Sequence, residues 1–104
     1  MDVLKVAWTA TAIKQRNYIF AYWNERNKSN NFSRKLNQKF IERVSLLKTN
    51  PELGKKTSFK TNRVLTLGHF SIFYRLIDNT IFITSVWDNR QNPKKLRDFV
   101  KGNF

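Results

Sequence analysis

The chain is 104 residues long and carries 20 Lys+Arg against seven Asp+Glu, a formal net charge of +13. It has no cysteine, and His69 is its one histidine. That excludes disulfides, thiolate nucleophiles, Cys-ligated zinc and any two-histidine acid–base pair. The length suits a single domain over residues 1–104, and three Trp, three Tyr and nine Phe supply the apolar area for its core. No apolar run approaches the roughly 20 residues of a membrane span, and the N-terminus lacks a signal-peptide core, so a cytoplasmic protein is expected. No metal or cofactor is expected. The positive excess is larger than solubility requires and favours polyanionic partners: RNA, DNA, a ribosome or an acidic protein.

In chain order, "VLKVAW" (3–8) reads as a short apolar strand. Thr9 or Thr11 then caps a helix over about 12–27, since either hydroxyl can accept from a free first-turn amide. Ile13, Ile19, Phe20 and Trp23 share one face at helical spacing, with Tyr18 and Tyr22 beside it. After the polar break "NKSNN", a second helix over about 31–49 places Phe32, Leu36, Phe40, Val44 and Leu47 on one side. Arg34, Lys35, Lys39, Arg43 and Lys48 occupy the rest of its surface. "NPELG" ends it, because Pro51 cannot continue the ladder and Gly54 tolerates positive φ. Two amphipathic helices across a short break predict a helix hairpin.

From residue 55 the texture changes. "KKTSFKTNR" is basic and free of acid, and three β-rich runs follow: 63–67, 69–77 and 80–87. Gly68 marks one turn, and Asp78-Asn79 suits a two-residue hairpin. Simple alternation in the last strand puts Ile81, Ile83 and Ser85 on one face and Phe82, Thr84 and Val86 on the other. The order is thus β-α-α-β-β-β with a short basic C-terminal turn or helix starting at Pro93. The fold class is α+β, an antiparallel sheet packed against a helix hairpin.

This order resembles the RelE/ParE superfamily of toxin–antitoxin toxins. "WTATAIKQRNYIFAYW" is similar to the family's opening strand and first helix, and "LLKTNPELGKK" to its second-helix exit. "RVLTLGHFSIFYRLIDNTIFITSVWDNRQNPKKL" resembles its arginine-led strand, glycine turn, tyrosine-bearing strand and last strand before Arg-x-x-Pro. The resemblance implies a toxin neutralised by a cognate acidic antitoxin, with which it can form a toxin–antitoxin hetero-oligomer. One scaffold serves two targets: RelE-like members cut mRNA on the ribosome, and ParE-like members poison DNA gyrase.

RelE-like nucleases tend to supply a middle-strand arginine, a basic residue at the end of the last strand and a C-terminal tyrosine. Here those places hold Ser71 and Asp88, and no tyrosine follows Tyr74. The nuclease set is depleted, which favours a ParE-like protein that acts by binding. The alternative is a ribosome-dependent mRNA endoribonuclease with a rearranged site drawn from Arg63, Asp88 and Arg90. A toxin-fold protein with weakened activity is a third reading. Expected target contacts are Lys55, Lys56, Lys60, Arg63, Arg75, Arg90, Lys94 and Lys95. Tyr18, Tyr22 and Trp23 are the expected antitoxin anchors. Tyr74 reads as core or hydrogen-bonded and His69 as a turn residue, whereas Asp88 has an ion pair with Arg90 or Arg75 as its structural role. Trp87 is expected to anchor the strand end, with Arg90 exposed near Arg63.

Overall fold

The computed structural model describes residues 4–58 and 62–90. Strand β1 (Lys5–Trp8) leads into helix α1 (Ala10–Asn27), and α2 (Asn31–Ser45) runs on into a 3-10 turn at Leu46–Lys48. Strands β2 (Lys55–Lys56), β3 (Arg63–Leu67), β4 (Phe70–Ile77) and β5 (Thr80–Asp88) complete the order. The expected basic C-terminal turn or helix lies outside the described residues. The five strands form one sheet, ordered β1-β5-β4-β3-β2. The anticipated antiparallel sheet is present, and β1 adds a parallel strand at its edge, in register Lys5↔Thr80 to Trp8↔Ile83.

Local chemistry sets the helix limits. Thr9 is the α1 cap: its hydroxyl oxygen accepts from the Ala12 amide and donates to the Ile83 carbonyl, tying the helix start to β5. Lys28 closes α1 in the left-handed region at φ 53°, its amide donating to the Asn24 carbonyl. Along α2 the expected stripe is buried at Leu36, Phe40, Val44 and Leu47, while Phe32 stays 37% exposed against the Trp23 ring. On α1, Ile19 is buried, and Phe20 and Trp23 pack at the margin of the core. Ile13 does not join them; Ala12, fully buried, lets the helix approach β5 closely. Phe40 lies at the centre, stacked on Phe20 and edge-on to Phe70.

The alternation expected in β5 breaks at a bulge. Register steps from Phe73↔Ser85 to Tyr74↔Ile83, so Thr84 is the extra residue, and its hydroxyl donates to the Phe73 carbonyl. Beyond it the pleat is inverted: Val86 joins Ile81 and Ile83 in the core, opposite Ile72. The Val86 amide donates to Gln15 Oε1 on α1 at 2.8 Å. The same inversion turns Asp88, paired with Phe70, toward the helices.

Candidate functional site

The end of β5 holds a buried carboxylate. Asp88 is 5% exposed. Arg90 grips it in a two-pronged pair, Nε to Oδ1 at 2.9 Å and Nη2 to Oδ2 at 2.8 Å, and the Arg90 amide also donates to Oδ1. The Arg90 guanidinium lies 4.3 Å from the Trp23 ring centroid and 5.3 Å from that of Phe70. Burial acts to raise the Asp88 pKa. Hydrogen bonds from the Arg90 side chain and amide, the Arg90 charge and the Trp23 indole together outweigh it, and the carboxyl sits below the ordinary aspartate value. Neighbouring Asn89 ties the turn to β4, its amide donating to the His69 carbonyl and its side chain accepting from Ser71 Oγ.

A second cluster forms where β3 and β4 meet the loop after α2. Tyr74 is buried, and its hydroxyl donates to the Pro51 carbonyl and accepts from the Gly54 amide, both at 2.8 Å. Arg63, paired with Tyr74 across the strands, donates from Nη1 to the Gly54 carbonyl at 2.8 Å. Burial raises the Tyr74 pKa, against the Gly54 hydrogen bond and the Arg63 charge, so the phenol is neutral and free to donate.

The two clusters are separate. Arg63 opens β3, whereas Leu67 closes it opposite Phe70, which in turn pairs with Asp88. Four strand steps, about 13 Å, separate the two ends. The expected neighbourhood of Arg90 and Arg63 is therefore not formed, because the sheet register sends them to opposite ends of β3. Lys55 and Lys56 are exposed on the short edge strand, and Arg75 is half-buried opposite Phe82. Lys60, Lys94 and Lys95 lie outside the described residues. His69 is exposed after Gly68, whose φ of +59° the tight turn requires. On α1, Tyr18 and Tyr22 are 62% and 46% exposed, while Trp23 is partly buried among Tyr22, Phe32 and Arg90.

A family model described as the ParE toxin of type II toxin–antitoxin system, parDE, matches residues 6–93. The chain belongs to the ParE toxin family. A search of the curated proteins finds no match. Among solved structures, the chain resembles one titled as the chromosomal ParDE toxin–antitoxin system from P. aeruginosa, with a TM-score of 0.71 and 23% identity over 81% of this chain and 94% of that one. It also resembles a chain of the RelBE2 toxin–antitoxin complex from Mycobacterium tuberculosis, with a TM-score of 0.59 and 19% identity over 82% and 96% of the respective chains. At such identities these two likenesses concern the fold.

Among the described residues of this ParE-family chain, no helix is long and apolar enough to cross a membrane. No group of three or more His, Cys, Asp and Glu residues among them is placed to hold a metal ion. Sequence reasoning offered Arg90 or Arg75 as the partner of Asp88, of which Arg90 forms the ion pair, but missed the aromatic walls around it. Trp23 is 67 positions from Arg90 in the chain, and nothing in their local spacing signals the contact. Pro51 and Gly54 read as helix breakers; that they also bind the Tyr74 hydroxyl depends on tertiary approach alone.

Proposed function

We propose that this ParE-family toxin acts by binding its target rather than by cutting RNA, with DNA gyrase as the target and a cognate acidic antitoxin as the neutralising partner. The observation that carries this reading is the state of Asp88. RNA cleavage needs a base that can reach and accept the 2′-hydroxyl proton. Asp88 is buried, carries three hydrogen bonds from Arg90 and has a lowered pKa, all of which make it a poor proton acceptor. Arg63 lies at the other end of β3 with its guanidinium on backbone carbonyls. The family match favours the ParE-like reading over the RelE-like one, and gyrase is the target that the ParE-like resemblance implies.

On this reading the exposed Lys55 and Lys56, with Arg63 and Arg75 beside them, form one basic patch that contributes to target binding, and Arg90, with its half-open side chain, contributes separately from the other end of β3. The antitoxin takes the aromatic stripe of α1, where Tyr18 and Tyr22 offer apolar anchors to an acidic segment that folds as it binds. The experiment is expression in cells lacking the antitoxin, with mRNA 5′ ends mapped and gyrase-dependent DNA breaks scored. Breaks that vanish with a resistant gyrase, alongside intact mRNA, support the proposal. Codon-phased mRNA cuts with undamaged chromosomes overturn it and promote the ribosome-dependent nuclease.

A further inference from the structure

A cleft of about 330 Å³ opens between α2 and the β3–β4 turn, apart from the Tyr74 cluster and bordered by Phe32 and Arg90, which both touch Trp23 of α1. Its floor and one wall are apolar: Leu36, Leu67, Phe70 and the partly exposed ring of Phe32. Its rim carries Lys35, Lys39, His69 and Arg90. The cleft continues along α2 past Lys39 to Arg43, and beside it toward Arg34. Arg34, Lys35, Lys39 and Arg43 form no ion pair with the described residues, and Glu42 is the one carboxylate lining these depressions. Lys35, Lys39 and Arg43 follow one another at about one helical turn, with Glu42 the one counter-charge beside the last two, and such a row attracts a polyanion with regularly spaced charges.

We infer that this face of α2 binds a single-stranded nucleic acid segment, with phosphates along Lys35, Lys39 and Arg43 and one base seated in the cleft against Phe32. The apolar floor favours a single strand over a duplex, since duplex bases are stacked on one another and present only their edges in the grooves. The unpaired lysines favour phosphate over scattered carboxylates, because each neutralised phosphate releases counterions. This inference stands whether the chain acts on gyrase or on the ribosome, since its readout is binding and not growth.

The test uses the purified chain with a fluorescein-labelled 12-nucleotide RNA of mixed sequence, titrated by anisotropy at several salt concentrations. The double substitution Lys35→Gln/Lys39→Gln lowers the slope of log affinity against log salt by about 1.4, as loss of two phosphate contacts requires. A double of equal charge elsewhere, Lys5→Gln/Lys14→Gln, leaves the slope within a few tenths. Phe32→Ala weakens binding about tenfold with little change of slope, as expected for loss of one stacked base; the lysine pair, both exposed, carries the test should Phe32→Ala unfold. Equal slope losses from the two lysine doubles overturn the inference and leave only diffuse attraction. So does a 12-base-pair duplex that binds as tightly as the single strand and ignores Phe32→Ala. Polyglutamate that binds through Lys35 and Lys39 while the RNA does not assigns the face to an acidic protein and equally overturns it.

Discussion

Gly54 and Tyr74 are packed so closely that a Cβ on Gly54 would stand 2.7 Å from the tyrosine ring and hydroxyl and 2.8 Å from the Val64 carbonyl. The glycine is there for space, since its φ is not in the left-handed region. Gly54→Ala therefore overpacks the loop against the sheet at a cost of about 1–3 kcal/mol. Tyr74→Phe strands the Gly54 amide and the Pro51 carbonyl and costs about 2 kcal/mol. Urea unfolding of both variants checks these values; a neutral Gly54→Ala would mean the loop yields freely.

Phe40 is fully buried between two rings, and Lys39 beside it faces water. Phe40→Ala should cost about 3–5 kcal/mol, much of a small domain's margin. Lys39→Ala should shift stability by less than about 0.5 kcal/mol. Denaturant midpoints of the pair measure the contrast, and similar losses would contradict the helix phase.

The Asp88–Arg90 pair predicts an acid-sensitive fold. The folded-state pKa of Asp88 is lowered, so its contribution is present above the unfolded aspartate value of about 3.9 and is lost as pH falls through the lower folded value. Asp88→Asn should lower stability at pH 6 and flatten the decline toward pH 3. Arg90→Ala leaves the buried carboxylate with only the residue-90 amide and the Trp23 indole, and should cost about 2–3 kcal/mol at pH 6. Any toxicity measured for Arg90→Ala must therefore be read at equal folded fraction. Urea midpoints across pH 3–6 decide it: parallel curves for the parent chain and Asp88→Asn would remove the pair from acid unfolding.

Antitoxin binding should divide between charge and apolar contact. With a net charge of +13, association should slow as salt rises, while Tyr18→Ala and Tyr22→Ala should shorten the lifetime of the complex with little effect on its formation. Stopped-flow and dissociation measurements separate the two rates. An on-rate indifferent to salt would exclude steering by charge.

The helix α2 was legible because its stripe follows one period from Leu36 to Leu47. The three long strands were legible for a similar reason, as apolar and β-branched runs between turn residues. The phase of α1 was less so: Ala12 carries almost no hydrophobic signal, yet its small size makes the close approach to β5. Strand β2 was hidden because two exposed lysines do not alternate with anything apolar, and its pairing with Arg63 and Val64 is purely backbone chemistry. The bulge at Thr84 was invisible too, since one extra residue leaves composition unchanged while inverting every later side chain. Candidate residues were found by type, but their grouping depended on register. Asp88 met Arg90 because they are two positions apart, whereas Arg63 was carried to the far end of β3.

The parallel pairing of β1 with β5 also decides when the molecule becomes a molecule. Thr9 hands its hydroxyl proton to the Ile83 carbonyl, 74 positions away, and α1 has no sheet to rest on until that partner strand exists. Contacts so distant in sequence are entropically slow to close and give nothing until they do. The first helix and the last strand should therefore dock after the more local contacts between α1 and α2 have formed. Before that docking, Phe20 and Trp23 already have Phe40 and Phe32 of α2 to pack on, whereas the β5-facing side of α1 at Ala12 stays uncovered, and it is this side that an unfinished chain would offer to chaperones and proteases.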